Sequence, residues 1–163
     1  MTTDDYAKYI AALPRILAGA AMLFRDGRGQ VLLVRPNYRD GWALPGGTIE
    51  SDQGETPRQA ARRETLEEIG LDVSPGRLLA VDWVPGPDRP PIAAYVYDGG
   101  VLAEDRLKAI RLQEEELIDW RLVPREEITA HLPGQLGHRV LAALDVVTGG
   151  TGAAELENGR TVG

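Results

Sequence analysis

The chain has 163 residues, the length of a single domain, and its formal net charge is −7. That acidic balance disfavours a nucleic-acid polymer as a partner. With no cysteine and two histidines, the chain excludes a disulfide framework, a thiolate zinc site and a histidine-rich metal centre. It shows no apolar run that could cross a membrane and no signal-peptide core, so we expect a cytoplasmic location and no membrane partner.

Apolar runs and turn signals predict a mixed α/β chain, because strands and helices do not alternate regularly along it. In chain order we expect strands at 16–24 and 31–34, a glycine-rich bend at 41–47, a helix at 57–69, strands at 77–84, 92–97, 107–112 and 117–123, and helices at 125–131 and 135–147.

The end of the chain differs in composition from the rest. The sixteen residues from Thr148 onward include five glycines and almost no apolar side chains. Such a segment buries little surface to offset the entropy of ordering it. We therefore expect a single domain over residues 1–147 and a flexible tail over 148–163.

The helix at 57–69 has clear boundaries and an unusual face. Thr56 is a good N-cap, Pro57 suits the first helical turn, and Gly70 suits the end. At about 100° per residue, three glutamates share an arc roughly 100° wide. These are Glu64, Glu67 and Glu68, and the opposite side, expected to pack on the sheet, holds Ala61, Thr65, Leu66 and Ile69.

Three glutamates at this spacing repel one another by a few tenths of a kcal/mol per pair. A hard divalent cation such as Mg²⁺ or Mn²⁺ would offset that repulsion, because it prefers carboxylate oxygens as ligands. A solvated acidic face is the alternative reading. The glycine-rich bend at 41–47, which leads directly to this helix, favours the metal site.

The segment from Gly47 to Leu71 resembles the Nudix box, the signature G-x5-E-x7-R-E-U-x-E-E-x-G-U of Nudix hydrolases, in which U is apolar. Asp52 and Gln53 look inserted, and we expect them to lengthen a loop without rotating the helix. Thr65 stands at an apolar position, where we expect its hydroxyl to bond back to a helix carbonyl. The matched positions are Gly47, Glu55, Arg63, Glu64, Glu67, Glu68, Gly70 and Leu71.

The resemblance extends over about residues 15–147 and implies a Nudix-like α/β/α sandwich around a mixed β-sheet. It implies a metal-dependent pyrophosphohydrolase that uses Mg²⁺ or Mn²⁺ and acts on a nucleoside diphosphate linked to another moiety X. The implied catalytic residues are Glu64, Arg63 and Glu67, with Glu55 as the structural partner of Arg63. The implied metal ligands are Glu64, Glu67, Glu68 and Glu116, the last because it precedes a predicted strand. An exposed acidic turn is the alternative for Glu116.

Five residues are candidates for substrate binding. Arginine suits phosphate, glycine allows a close backbone approach, and an aromatic ring can stack on a base, although core packing is an alternative for the tryptophan. These candidates are Arg35, Arg39, Gly46, Gly47 and Trp42.

Two further expectations follow from the resemblance. Nudix proteins often form homodimers, so a homodimer is among the expected partners. A Nudix-like sensor that binds a nucleotide without cleaving it is the alternative function. The complete set of helix glutamates favours the hydrolase.

Overall fold

A computed structural model describes residues 1–150 and 152–163. The strands are β1 (Leu17–Arg25), β2 (Val31–Pro36), β3 (Gly46–Thr48), β4 (Leu78–Val84), β5 (Ile92–Val101), β6 (Leu117–Val123), β7 (Ala154–Glu157) and β8 (Arg160–Thr161). The α-helices are α1 (Thr3–Ala12), α2 (Pro57–Ile69), α3 (Glu104–Lys108), α4 (Ile128–His131) and α5 (Gln135–Gly149). Within these described ranges, no helix combines the length and apolar character needed to cross a membrane.

The strands form one mixed sheet with helices on both faces. Its order is β6-β2-β1-β5-β4-β7-β8, and β3 pairs with β1 beside that path. The β1–β5 and β4–β7 pairs are parallel, whereas β1–β2, β2–β6 and β4–β5 are antiparallel. Helix α2 shares a core with one face of the sheet, and α4 and α5 share a core with the other. This arrangement confirms the predicted α/β/α sandwich.

Helix α2 begins and ends at the predicted residues. The side chain of Thr56 accepts from the backbone N–H of Gln59, whose side chain in turn accepts from the backbone of Thr56. Gly70 ends the helix in the left-handed region at φ 73°. The two extra residues of the box lie in an exposed 3₁₀ turn, Ser51–Gln53, so the insertion lengthens the loop as predicted.

The strand predicted at 107–112 is wrong. Residues Glu104–Lys108 form the short helix α3, and the chain after it bonds to the end of α2 instead of to a strand. The backbone N–H of Arg111 donates to the carbonyl of Ile69, and that of Gln113 donates to the carbonyl of Glu68. These bonds satisfy carbonyls that every helix leaves open at its C-terminus.

The flexible tail expected over 148–163 is wrong for residues 154–161. Helix α5 continues to Gly149, and β7 then extends the sheet by pairing in parallel with β4. Leu156 is only 1% exposed and packs into the core on the α5 face. Burial of this leucine and pairing with the edge of β4 order a segment whose composition is otherwise polar and glycine-rich. The folded unit therefore continues beyond residue 147.

Candidate active site

Two adjoining cavities meet at strand β3. The first, here called the acidic cavity, has a volume of about 430 Å³ and is lined by five glutamates together with Tyr38 and Arg63. The second, here called the α5 cavity, has a volume of about 400 Å³ and lies between the sheet and α5. Gly47 and Thr48 line both cavities. The glutamates of the acidic cavity are Glu50, Glu64, Glu67, Glu68 and Glu116.

Two glycines allow β3 to lie between β1 and α2. A Cβ on Gly46 would stand 2.6 Å from the Cα of Ala21, and a Cβ on Gly47 would stand 2.5 Å from the Cδ of Glu64. The backbone N–H of Gly46 donates to Glu68 Oε2 over 2.9 Å. Glycine at position 46 therefore lets β3 lie against β1, and glycine at position 47 lets the same strand lie against the carboxylate of Glu64.

Arg63 connects the acidic residues on its side of the cavity. Its Nε and Nη2 donate to the two oxygens of Glu55 over 2.6 and 3.0 Å, so the predicted pairing of these two residues is present. Its Nη1 donates to Glu64 Oε1 over 2.9 Å and to Glu67 Oε2 over 3.1 Å, while Nη2 also donates to the carbonyl of Thr48. The bond from Arg63 lowers the pKa of Glu55.

The electrostatics of the cavity disfavour several negative charges at once. The pKa of Glu68 is raised to about 8, chiefly by burial and also by the charges of Glu64, Glu116 and Glu67, against the opposing hydrogen bond from Gly46. Burial also raises the pKa of Glu64, although Arg63 opposes that shift. The cavity therefore favours a compensating positive charge.

The buried face of α2 differs from the predicted one. Ala60 is fully buried, and Leu66, expected in the core, is 47% exposed. The buried arc is centred near Ala61 and Glu68, which explains why Glu68 is only 5% exposed. Thr65 is buried as expected, but its hydroxyl oxygen has no hydrogen-bond partner, so the predicted bond to a helix carbonyl is wrong.

The donor set of the acidic cavity suits a hard divalent cation. Within residues 1–150 and 152–163, no three acidic or histidine side chains already converge as a finished cage. Arg63 holds one oxygen each of Glu64 and Glu67, while Glu68 Oε2 accepts from Gly46. The remaining carboxylate oxygens, including those of Glu116, are the ligand type that Mg²⁺ and Mn²⁺ prefer. Their mutual repulsion is the quantity that a bound cation would relieve.

The α5 cavity is mostly apolar. Gly19 and Ala21 of β1 and Ala94 of β5 contribute small residues to its floor, and Leu136 of α5 contributes to its wall. Arg39, exposed in the loop after β2, also lines it. This cavity has the size and apolar lining typical of a small-molecule subsite.

One wall of the α5 cavity carries a polar pair that the sequence analysis missed. Arg139 lines the cavity, and its Nε donates over 2.8 Å to Oδ2 of Asp82, which is fully buried. The available signal was an arginine among the apolar residues of α5 and an aspartate inside an apolar strand. Nothing in the local pattern joins two residues 57 positions apart.

The structure does not place all the predicted substrate-binding residues together. Gly46 and Gly47 line the acidic cavity, and Arg39 lines the α5 cavity. Arg35 is exposed on β2 opposite Asp119, in a separate surface groove. Trp42 packs against the core on the α5 face, with the guanidinium of Arg121 5.0 Å from its ring centre. Among the described cavity-lining residues, neither Arg35 nor Trp42 reaches the two site cavities.

Comparisons with known proteins agree with this fold. An RNA pyrophosphohydrolase of Psychrobacter cryohalolentis is 39% identical over 69 residues, which cover 41% of this chain and 39% of that protein. The matches to the first curated relatives span only 26% to 39% of those proteins. The structure of a MutT protein from Methanosarcina mazei Go1 superposes with a TM-score of 0.68 at 25% identity, covering 83% of this chain and 96% of that one.

A structure of UDP-X diphosphatase shares the fold. It has a TM-score of 0.68 at 21% identity and covers 96% of this chain and 75% of that one. The family model for the NUDIX domain matches residues 15–144, which is most of the chain. The chain therefore belongs to the Nudix family.

Proposed function

We propose that this protein is a metal-dependent pyrophosphohydrolase that cleaves the diphosphate bond of a nucleoside diphosphate linked to another moiety X. The observation that carries the proposal is the junction of the two cavities at Gly47 and Thr48. A diphosphate at this junction would lie against the predicted metal ligands, Glu64, Glu67, Glu68 and Glu116, while one of its two substituents enters the apolar α5 cavity. The cavity sizes and linings suit a molecule with a charged centre and a less polar end.

Glu64, Glu67, Glu68 and Glu116 would hold Mg²⁺ or Mn²⁺, which when bound neutralises the diphosphate and promotes attack by water. Glu64 accepts the proton of the attacking water. The oxygen of that water bonds to phosphorus as the bridging P–O bond breaks, which gives a nucleotide and phosphorylated X. Arg63 positions Glu64 and Glu67 through its hydrogen bonds to both.

The backbone and Arg39 complete the proposed site. Gly47 leaves no side chain between β3 and the carboxylate of Glu64, and Gly46 lines the same cavity, so a phosphate can approach the backbone of β3. Arg39 is exposed at the α5 cavity, and its guanidinium suits bidentate contact with a phosphate. The name of the Psychrobacter relative supports hydrolysis of a diphosphate, over the 39% of that protein that aligns.

A substrate panel tests the proposal. Purified protein is incubated with Mg²⁺ and, separately, ADP-ribose, a UDP-sugar, deoxynucleoside triphosphates, a dinucleoside polyphosphate or a 5′-triphosphorylated RNA oligonucleotide. For ADP-ribose, the UDP-sugar and the dinucleoside polyphosphate, which have no terminal phosphate, phosphate release is measured with added phosphatase. For the triphosphates and the RNA, it is measured with and without added inorganic pyrophosphatase. We expect turnover of at least one nucleoside diphosphate derivative. Binding of a panel member without any turnover would instead identify a sensor.

A further inference from the structure

The guanidinium of Arg139 is hydrogen-bonded through Nε only, and its two Nη nitrogens are unpaired within the described residues. Its Nε is held by Asp82, and its side chain is 13% exposed. Within the described residues, no acceptor receives a hydrogen bond from its Nη1 or Nη2. Across the part of the chain that the structure describes, the buried side-chain atoms that lack a hydrogen-bond partner are Arg25 Nε and Thr65 Oγ1. Nη1 and Nη2 of Arg139 are not among these atoms, so they keep some solvent-accessible surface. Arg139, which lines the α5 cavity, therefore has two guanidinium nitrogens that are free to donate.

The C-terminal hairpin, formed by β7 and β8, binds the second oxygen of Asp82. Oδ1 of Asp82 accepts from the backbone N–H of Gly159 over 3.0 Å, while Oδ2 accepts from Arg139. Gly159 has φ 79°, and a Cβ there would stand 2.7 Å from the Cα of Gln135 at the start of α5. The β7–β8 turn is therefore packed against the helix that carries Arg139, and both oxygens of Asp82 are used.

The charge of the pair indicates what kind of group it can bind. The fully buried carboxylate of Asp82 compensates the charge of Arg139, so the pair is neutral in a mostly apolar cavity. A phosphate would gain little net attraction there, and the exposed guanidinium of Arg39 suits it better. Two parallel N–H donors without net charge match a neutral oxygen acceptor, such as a base carbonyl or a sugar hydroxyl.

We propose that Arg139 is a specificity-determining residue, whose Nη1 and Nη2 donate to a neutral oxygen acceptor on the substrate portion that occupies the α5 cavity. Asp82 and Gly159 are positioning residues that act through Arg139. This proposal rests on the proposed function for the identity of the ligand as a nucleotide derivative. Its test is a binding measurement, so the role of Arg139 and the proposed hydrolase activity can fail separately.

The test compares wild-type protein with Arg139→Lys by calorimetry, using AMP, GMP, UMP, ribose 5-phosphate and pyrophosphate as probes. Lysine retains the charge beside Asp82 and removes the fork of donors. Arg125→Lys is the matched control, because Arg125 pairs with Asp145 on the surface, away from both cavities. Melting curves of each variant check folding, and an Arg139→Met/Asp82→Leu double variant replaces the buried pair if Arg139→Lys does not fold.

We expect Arg139→Lys to weaken nucleotide binding about threefold to tenfold, the effect of one lost hydrogen bond. A loss confined to GMP and UMP identifies a base carbonyl, and an equal loss for ribose 5-phosphate identifies a sugar hydroxyl. Gly159→Ala should weaken binding of the same probes, because it displaces the N–H that holds Asp82 and lies outside the cavity. With a hydrolysed substrate, KM rises while kcat is unchanged.

Three results would overturn the proposal. These are unchanged nucleotide affinity in Arg139→Lys, an equal loss of pyrophosphate affinity, or no binding of any probe by the wild-type protein. Arg139-dependent binding by a protein that hydrolyses nothing would overturn the proposed function alone. Hydrolysis with unchanged affinity in Arg139→Lys would overturn this inference alone.

Discussion

The backbone of Gly47 lies directly against the carboxylate of Glu64. A Cβ on this glycine would stand 2.5 Å from Cδ and 2.6 Å from Oε1 of Glu64. Strand β3 can therefore pass α2 only if residue 47 has no side chain or if Glu64 moves. This contact links the glycine-rich bend to the acidic helix in space, as their adjacency in sequence indicates.

Gly47→Ala should displace the carboxylate of Glu64 and lower kcat by about a hundredfold, the scale expected for a misplacement of about 1 Å. The melting temperature should change little, because the atoms in the way are the end of a flexible side chain. Gly27→Ala is the control, since a Cβ at Gly27 meets nothing within 4 Å. Steady-state kinetics of both variants decide the matter, and normal turnover in Gly47→Ala would show that the position of Glu64 is not critical.

Replacement of a single helix glutamate should abolish most turnover. Glu67→Gln and Glu68→Gln keep the side-chain size but remove a charged oxygen, so we expect a loss on the order of 10²-fold or more. Without metal, Glu68→Gln should melt at the same or a slightly higher temperature, because like-charge repulsion and the cost of burying a carboxylate are relieved. Glu104→Gln is the control, since Glu104 is exposed on α3 and pairs with Lys108. Near-normal rates in either active-site variant would place the ligands elsewhere.

The buried hydroxyl of Thr65 provides a test of stability. Its oxygen has no hydrogen-bond partner, although the residue is fully buried. Thr65→Val replaces that oxygen with a methyl group of similar size and should stabilise the protein by about 1 kcal/mol, which raises the Tm by roughly 2–4 °C. Thr65→Ser keeps the hydroxyl and should not stabilise it. An unchanged or lower Tm in Thr65→Val would indicate that the hydroxyl is satisfied in solution.

The C-terminal hairpin should contribute to the stability of the whole fold. Leu156 is 1% exposed, so Leu156→Ala should lower the free energy of unfolding by about 2–5 kcal/mol. Removal of all residues after Gly150 should destabilise the protein at least as much, because it also leaves Asp82 without its bond from Gly159. Leu13→Ala, at a 39% exposed leucine, should cost far less in the same denaturant titration. Equal melting of full-length and shortened protein would mean that the hairpin does not contribute.

Features determined by neighbouring residues could be predicted from the sequence. The ends of α2 depend on Thr56, Pro57 and Gly70, which act within one helical turn, and the structure confirms them. The grouping of Glu64, Glu67 and Glu68 depends on helical spacing and is also present.

Features determined by distant residues could not be predicted in the same way. The side of α2 that the sheet covers is decided by packing, and the small side chains of Ala60 and Ala61 let that side approach the strands although Leu66 is more apolar. The hairpin follows the same principle, because its pairing partner β4 lies more than 60 residues earlier in the chain. Asn158-Gly159 is a hairpin signal in the sequence, yet the glycine-rich composition around it indicated a flexible tail.

The measurement that tests the central claim most directly is hydrolysis of an active panel substrate by protein stripped with EDTA and then titrated with Mg²⁺ or Mn²⁺. If the acidic cavity holds a catalytic cation, the stripped protein releases no product and either ion restores turnover with saturation. In the same titration, Glu68→Gln should need a higher metal concentration for half-maximal turnover or should stay inactive. Hydrolysis that continues at the same rate under full chelation would contradict the account.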